Sequence, residues 1–226
     1  MAQIDDMEQA LSLERFGRYV AWANGDRARA LVLYTLNAQI SEALYIAMQT
    51  LEVSLRNRIH TVIAANHGER WFECRGLITT PHQLSQVADA IAELQGQNKE
   101  PTPGRIVAAM SFSFWTAMFS PVYEDLWRAT LKDIARRNGK TLARKDFSRP
   151  LTQVRLLRNR IAHHEPILHW DLRSHHRAIR NLTGWLSPPA LTWSAPLDRF
   201  EQVYPADDLA LTRLRSENCR ALGPMA

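Results

Sequence analysis

The sequence predicts that a helix ends within ten residues, Leu157-Arg158-Asn159-Arg160-Ile161-Ala162-His163-His164-Glu165-Pro166. Ser148 belongs to the residue types that cap a helix start, and Pro150 is tolerated in a first turn. Pro166 cannot continue a helix. The helix is therefore expected to begin at about Ser148 and to stop just before Pro166.

Helical periodicity divides this segment into a buried face and a polar face. At about 100° per residue, the predicted buried face consists of Val154, Leu157 and Ile161. The opposite face carries Arg155, Asn159 and Ala162. Arg158 and His163 flank this polar face, and the small alanine within it lets another helix approach closely. A two-fold copy would bring Arg158 of one chain near His163 of either chain; the alternative is an ordinary solvated helix face.

An arginine and a histidine supply the chemical groups that RNA cleavage without metal needs. The 2′-hydroxyl attacks its own phosphate, so one proton is removed, another is delivered, and charge on the phosphate is stabilised. The imidazole of His163 can accept and donate protons, and the planar guanidinium of Arg158 matches phosphate oxygens. Asn159 could orient His163 or contact the phosphate, and Arg155 could add charge. His164 is a second candidate acid, although its position also suits a residue that satisfies the last helix carbonyls.

A similar pattern occurs earlier in the chain. The string LEVSLRNRIH ends in Arg-Asn-Arg-Ile-His, with a spacing one residue shorter. Glu52, Arg56 and His60 consequently share one helix face. We interpret this face as an exposed polar stripe. The alternative is that these three residues line the same cleft and hold RNA or the side chains of the first motif.

The positive charge is unevenly distributed along the chain. The net charge is +5 and the pI is about 9.6. Eight basic residues lie close together before the motif: Arg128, Lys132, Arg136, Arg137, Lys140, Arg144, Lys145 and Arg149. Only Asp133 and Asp146 oppose them. Such a run attracts RNA, although it is also typical of a solvated helix-and-loop surface.

The motifs resemble two related groups of proteins. The pattern R-N-x-x-x-H, formed by Arg158, Asn159 and His163, resembles the signature of HEPN-domain ribonucleases. Four strings resemble segments of the bacterial Abi-like (abortive infection) family: LRNRIAHHEPI, GDRARALVLY, LEVSLRNRIH and SFSFWTAMF. The likeness covers roughly residues 10–205. This resemblance implies a HEPN-like helical bundle with additional helices. It also implies that Arg158 and His163 cleave RNA at a homodimer interface.

The predicted fold class is all-α, because no strand-like alternation of any length occurs. We expect a flexible N-terminus (1–9), one helical domain (10–205) and a C-terminal tail (206–226). Helices are predicted over about 11–24, 27–65 (with a break or kink at Asn37), 81–96, 106–123, 123–138 and 171–185. The uncharged segment 106–123 is interpreted as a buried core helix rather than a membrane span, because it is short and contains serines and a proline. Gly139 and Ser187-Pro188-Pro189 are expected to end the last two helices.

Several other classes of site are not indicated. Two scattered cysteines form neither a disulfide framework nor a metal knuckle, and the histidines lack the H-E-x-x-H spacing. No P-loop, dinucleotide turn or nucleophile elbow occurs. No metal or cofactor is therefore expected. Free thiols and the lack of a signal peptide favour the cytoplasm.

Three functional hypotheses follow. The first is a homodimeric, metal-independent endoribonuclease that acts as the toxic effector of a phage-defence or toxin–antitoxin system, restrained by a protein or RNA antitoxin. The second is a non-catalytic module that holds RNA without cutting it. The third is a structural protein whose polar helix face serves only for dimerisation.

Overall fold

The computed structural model describes residues 10–11 and 13–205. Its α-helices are α1 (Leu13–Trp22), α2 (Arg27–His67), α3 (Pro81–Gly96), α4 (Pro103–Ala109), α5 (Phe112–Ala117), α6 (Glu124–Ala129), α7 (Arg144–Ala162), α8 (Leu172–Leu186), α9 (Pro188–Ser194) and α10 (Phe200–Val203). A small antiparallel hairpin joins β1 (Arg136–Arg137) to β2 (Lys140–Thr141). The chain is all-α, as predicted. The predicted flexible N-terminus, residues 1–9, and the predicted tail, residues 206–226, lie outside the described residues.

Two compact units can be distinguished among the described residues. The first contains the chain up to Ala47, Leu156–Arg177 and the segment that begins at Pro196. The second contains Met48–Arg155 and Ala178–Ala195. Helices α2, α7 and α8 each contribute residues to both units. The single domain expected over residues 10–205 stays a prediction.

In the first unit, α1 packs on the N-terminal half of α2. Tyr19 of α1 is buried and meets the ring of Tyr34 at 5.3 Å between centroids. Asp26 caps α2, since its Oδ1 accepts the backbone N–H of Arg29 at 3.0 Å. The break expected at Asn37 does not occur: α2 continues through this residue, whose side chain is buried.

In the second unit, residues 106–123 do not form the single core helix that we predicted. This segment forms α4, α5 and a 3₁₀ turn at Pro121–Tyr123. Ser111 has an extended backbone (φ −70°, ψ 160°), and its side chain accepts the N–H of Phe114 at 3.3 Å, so it starts a new helix. Burial was predicted correctly, because Phe114 and Trp115 are fully buried.

The helix predicted over residues 123–138 is also wrong in its length. The chain forms α6, a 3₁₀ turn at Leu131–Asp133 and the β1–β2 hairpin. Asn138 and Gly139 connect the strands with φ values of 52° and 75°. Two consecutive positive φ values favour Asn-Gly and match the right-handed twist of a two-residue hairpin. Gly139 therefore belongs to a hairpin turn and does not end a helix.

Helix α8 ends at Leu186, close to the predicted boundary, but the chain does not leave helical structure there. Ser187 caps a further helix, α9, by accepting the N–H of Ala190 at 3.3 Å. Pro188 occupies the first position of α9, where its missing N–H costs nothing. No helix in the described part of the chain is long and apolar enough to cross a membrane.

Candidate functional site

Helix α7 carries the motif, and it begins earlier than predicted. Its first residue is Arg144, one turn before the expected cap Ser148. The carbonyl of Ala143 accepts the N–H of Phe147 at 3.3 Å, so the first turn forms there. Pro150 consequently lies inside the helix and not in its first turn. The predicted end of the helix before Pro166 is confirmed, because α7 stops at Ala162.

The exposure of the motif side chains follows the predicted faces in part. Leu157 is fully buried, as expected. Ile161, which was also expected to be buried, is only half-buried because it lines an open cavity. Arg158 and Asn159 are half-buried, and His163 is exposed. The imidazole of His163 is thus accessible to a substrate, as a group that exchanges protons must be.

The turn that follows α7 is a Schellman motif centred on His164. The N–H of His164 donates to the carbonyl of Ile161 at 3.0 Å, and the N–H of Glu165 donates to the carbonyl of Arg160 at 2.8 Å. His164 has a φ of 56°, in the left-handed region. The side chains of Arg160 and Glu165 also form an ion pair at 3.1 Å across this turn. The turn places His163 at the point where the helix ends. The backbone N–H of His163 donates to the carbonyl of Asn159 at 3.0 Å.

A contact from α2 fixes the chain after the turn. The buried side-chain oxygen of Asn37 accepts the backbone N–H of Ile167 at 2.8 Å. Ile167 is itself fully buried. Three residues after Ile167, the ring of Trp170 has its centroid 5.2 Å from the guanidinium of Arg160, within cation–π range. The motif is therefore followed by an anchored segment and not by a loose loop.

A cavity of about 800 Å³ lies at the C-terminal end of α7. Ile161 and Ala162 line it from α7, and His164 lines it from the turn that follows. The rest of its wall comes from one stretch of α2, residues 34–46, and from Pro196, Leu197 and Arg199. Most of this wall is apolar, apart from an ion pair between Arg199 and Glu42. The sequence analysis missed this cavity, because segments far apart in sequence form it.

Comparison with known proteins identifies the family. Residues 11–169, more than half of the chain, match the Abi-like protein family. The chain belongs to the Abi-like protein family. The matched region includes the whole motif and the segment of α2 that faces the cavity. No curated protein and no solved structure matches this Abi-like protein.

The second polar stripe of this Abi-like protein lies on α2 within the second unit. Glu52 and Arg56 are half-buried, and Arg56 reaches the carbonyl of Ala108 at 3.5 Å. Nδ1 of His60 accepts the indole N–H of the buried Trp71 at 3.0 Å. Since an indole can only donate, Nε2 of His60 carries the proton and donates to Glu69 at 2.9 Å. The stripe is therefore half-buried and not exposed as we expected, and the contacts of Arg56 and His60 lie within the second unit.

His169 is another imidazole near the motif in sequence. Burial lowers its pKa to about 4, and the charges of Arg18 and Arg160 act in the same direction. Its Nε2 accepts the indole N–H of Trp170 at 3.0 Å. His169 is therefore neutral at pH 7. Among the described residues, no group of three or more His, Cys, Asp or Glu side chains could hold a metal ion.

The left-handed backbone of His164 predicts a gain in stability from glycine. The other non-glycine residues with positive φ in the described chain are asparagines, which tolerate this conformation better than histidine. We expect His164→Gly to stabilise the protein by about 0.5–1 kcal/mol, because the left-handed region is unstrained for glycine. Thermal unfolding measures this change. His163→Gly is the matched control, since His163 has no positive φ, and it should destabilise by about 0.5–1 kcal/mol.

Proposed function

We propose that this Abi-like protein is a metal-independent endoribonuclease. Family membership suggests a role in abortive infection. The observation that carries the more specific proposal is the position of His163, exposed at the end of α7 and preceded by Arg158 and Asn159. No other histidine in the described chain combines exposure with an arginine and an asparagine in this arrangement.

The proposed reaction uses groups that the chain itself supplies. The imidazole of His163 accepts the proton of the 2′-hydroxyl or donates one to the leaving 5′-oxygen. The guanidinium of Arg158 stabilises the charge that develops on the phosphate. Asn159 orients the imidazole, Arg155 adds positive charge, and His164 is a supporting group beside the site. Attack by the 2′-oxygen leaves one product with a 2′,3′-cyclic phosphate.

The proposal includes a homodimer with a HEPN-like arrangement of helices. One chain presents a single copy of the motif, whereas two copies side by side supply one His163 imidazole to accept a proton and a second to donate one. A two-fold axis beside the exposed Ala162 brings two copies of the motif together, and the small side chain permits the close approach. Such a ribonuclease is toxic to its own cell. A protein or RNA antitoxin is accordingly part of the proposal.

Incubation of the purified protein with labelled RNA in excess EDTA tests this function. We expect cleavage to persist in EDTA and to yield cyclic phosphate ends. RNA with 2′-O-methyl groups should resist cleavage, because the attacking oxygen is blocked. If unmodified RNA is retained tightly but remains intact, the non-catalytic RNA-binding function is correct. That second function is favoured by the basic residues in the first turns of α7.

A further inference from the structure

A second cavity, of about 610 Å³, lies within the second unit and is strongly basic. Four cationic side chains of α7 line it: Arg144, Lys145, Arg149 and Arg155. Five hydroxyl-bearing residues, from α5, the following turn and α7, complete much of its polar wall. No carboxylate is among its lining residues in the described chain. A cavity with several cations, many hydroxyl donors and no acid is suited to anionic oxygens.

The cations of this cavity differ in their charge balance. Arg144 is nearly buried and donates to the side chain of Glu124 and to the carbonyl of Phe119. The hydrogen bond from Arg144 lowers the pKa of Glu124, so the carboxylate stays ionised and balances the positive charge of Arg144. Lys145 and Arg149, by contrast, are exposed and make no ion pair with any carboxylate that the structure describes. Their charges remain available to an incoming anion.

The available cations form a row and not a single point. At about 100° per residue, Lys145, Arg149 and Arg155 fall within a sector of about 120° on α7. Ser148 and Thr152 lie in the same sector and supply hydroxyl donors between the cations. Lys145 and Arg155 are ten positions apart on the helix, which corresponds to about 15 Å along its axis. A row of this length fits a strand with repeated negative charges better than one isolated phosphate.

We propose that this cavity binds the phosphodiester backbone of an RNA strand. The inference rests on the proposed function for the identity of the polyanion. Binding to the RNA backbone is independent of the RNA sequence, and it contributes affinity through the release of counterions. Arg155, the last cation of the row, lies three residues before Arg158 in the sequence.

The test uses the full chain and an RNA with 2′-O-methyl groups, so that binding is measured without cleavage. The cavity variant is Lys145→Gln combined with Arg149→Gln. The matched control is Lys99→Gln combined with Arg105→Gln, which removes the same charge, from one lysine and one arginine, at exposed positions that do not line the cavity. Fluorescence anisotropy gives Kd at several salt concentrations. Circular dichroism checks that both variants are folded.

We expect the cavity variant to bind roughly tenfold more weakly or worse, and the control at most about threefold more weakly. The slope of log Kd against log salt should fall by about 1.4 for the cavity variant, because each lost phosphate contact on a single strand removes about 0.7. Equal weakening of both variants, or none in either, overturns the proposal. Inorganic phosphate should compete no better than a chloride salt of equal ionic strength; stronger competition would reassign the cavity to a small anion.

Cleavage of unmodified RNA by the wild-type protein is measured in parallel. If the wild-type protein cleaves RNA and both variants bind RNA equally well, the cavity is not the binding site, but the proposed ribonuclease activity stands. If only the cavity variant binds RNA more weakly and the wild-type protein does not cleave RNA, the cavity is the binding site but the protein is not a ribonuclease.

Discussion

Replacement of His163 by Ala is expected to reduce RNA cleavage by about 10²–10⁴-fold, the usual contribution of a general acid or base. The side chain is exposed at the end of α7, and its backbone N–H, which the substitution keeps, makes the hydrogen bond to Asn159. The stability of the variant should therefore change by less than about 0.5 kcal/mol. A fluorogenic RNA substrate measures cleavage, and thermal unfolding measures stability.

His67→Ala is the matched control for this experiment. His67 is the last residue of α2, is exposed, and belongs to the same residue type as His163. Its loss should leave cleavage unchanged, so a contaminating nuclease or a general effect of histidine removal would be revealed. Full activity of folded His163→Ala would remove the proposed reaction. In that case the exposed histidine would be only the end of a solvated helix.

Features that depend on neighbouring residues could be predicted from the sequence. The buried position of Leu157, the cap at Asp26 and the end of α7 all follow from patterns within a few residues. The Asn138-Gly139 turn also has a local signal, and the prediction failed there because the surrounding sequence was read as helical. Ser111 is harder to interpret, since a serine can lie inside a helix or start one. The choice between the two depends on the packing of the aromatic residues around it.

Features that depend on distant residues could not be predicted. The hydrogen bond between Asn37 and Ile167 joins residues 130 positions apart, and no local pattern indicates it. The two cavities likewise combine segments from different parts of the chain. The left-handed conformation of His164 is unexpected for a different reason, because glycine or asparagine is the usual residue at this position. The motif was thus recognisable from sequence, whereas the structure that supports it was not.

The contact between Asn37 and Ile167 leads to the second large expected effect. Asn37→Leu keeps a similar volume but removes the oxygen that accepts the N–H of Ile167. This N–H would remain buried without a partner, at a cost of about 1–3 kcal/mol. For a chain of this size, the temperature of unfolding should fall by roughly 4–8 °C if the loss is near 2 kcal/mol. Cleavage should fall several-fold at a temperature where the variant is folded, because the segment after His163 loses its anchor.

Asn57→Leu provides the comparison, since Asn57 lies on the same helix but is exposed. Its substitution should change stability by less than about 0.5 kcal/mol. If both variants unfold at the wild-type temperature, the bond from Asn37 does not stabilise the segment after the motif. If Asn37→Leu is destabilised but cleaves RNA at the wild-type rate when folded, the anchor serves the fold alone. A loss of both stability and cleavage would mean that α2 holds the end of α7 in the geometry that the reaction needs.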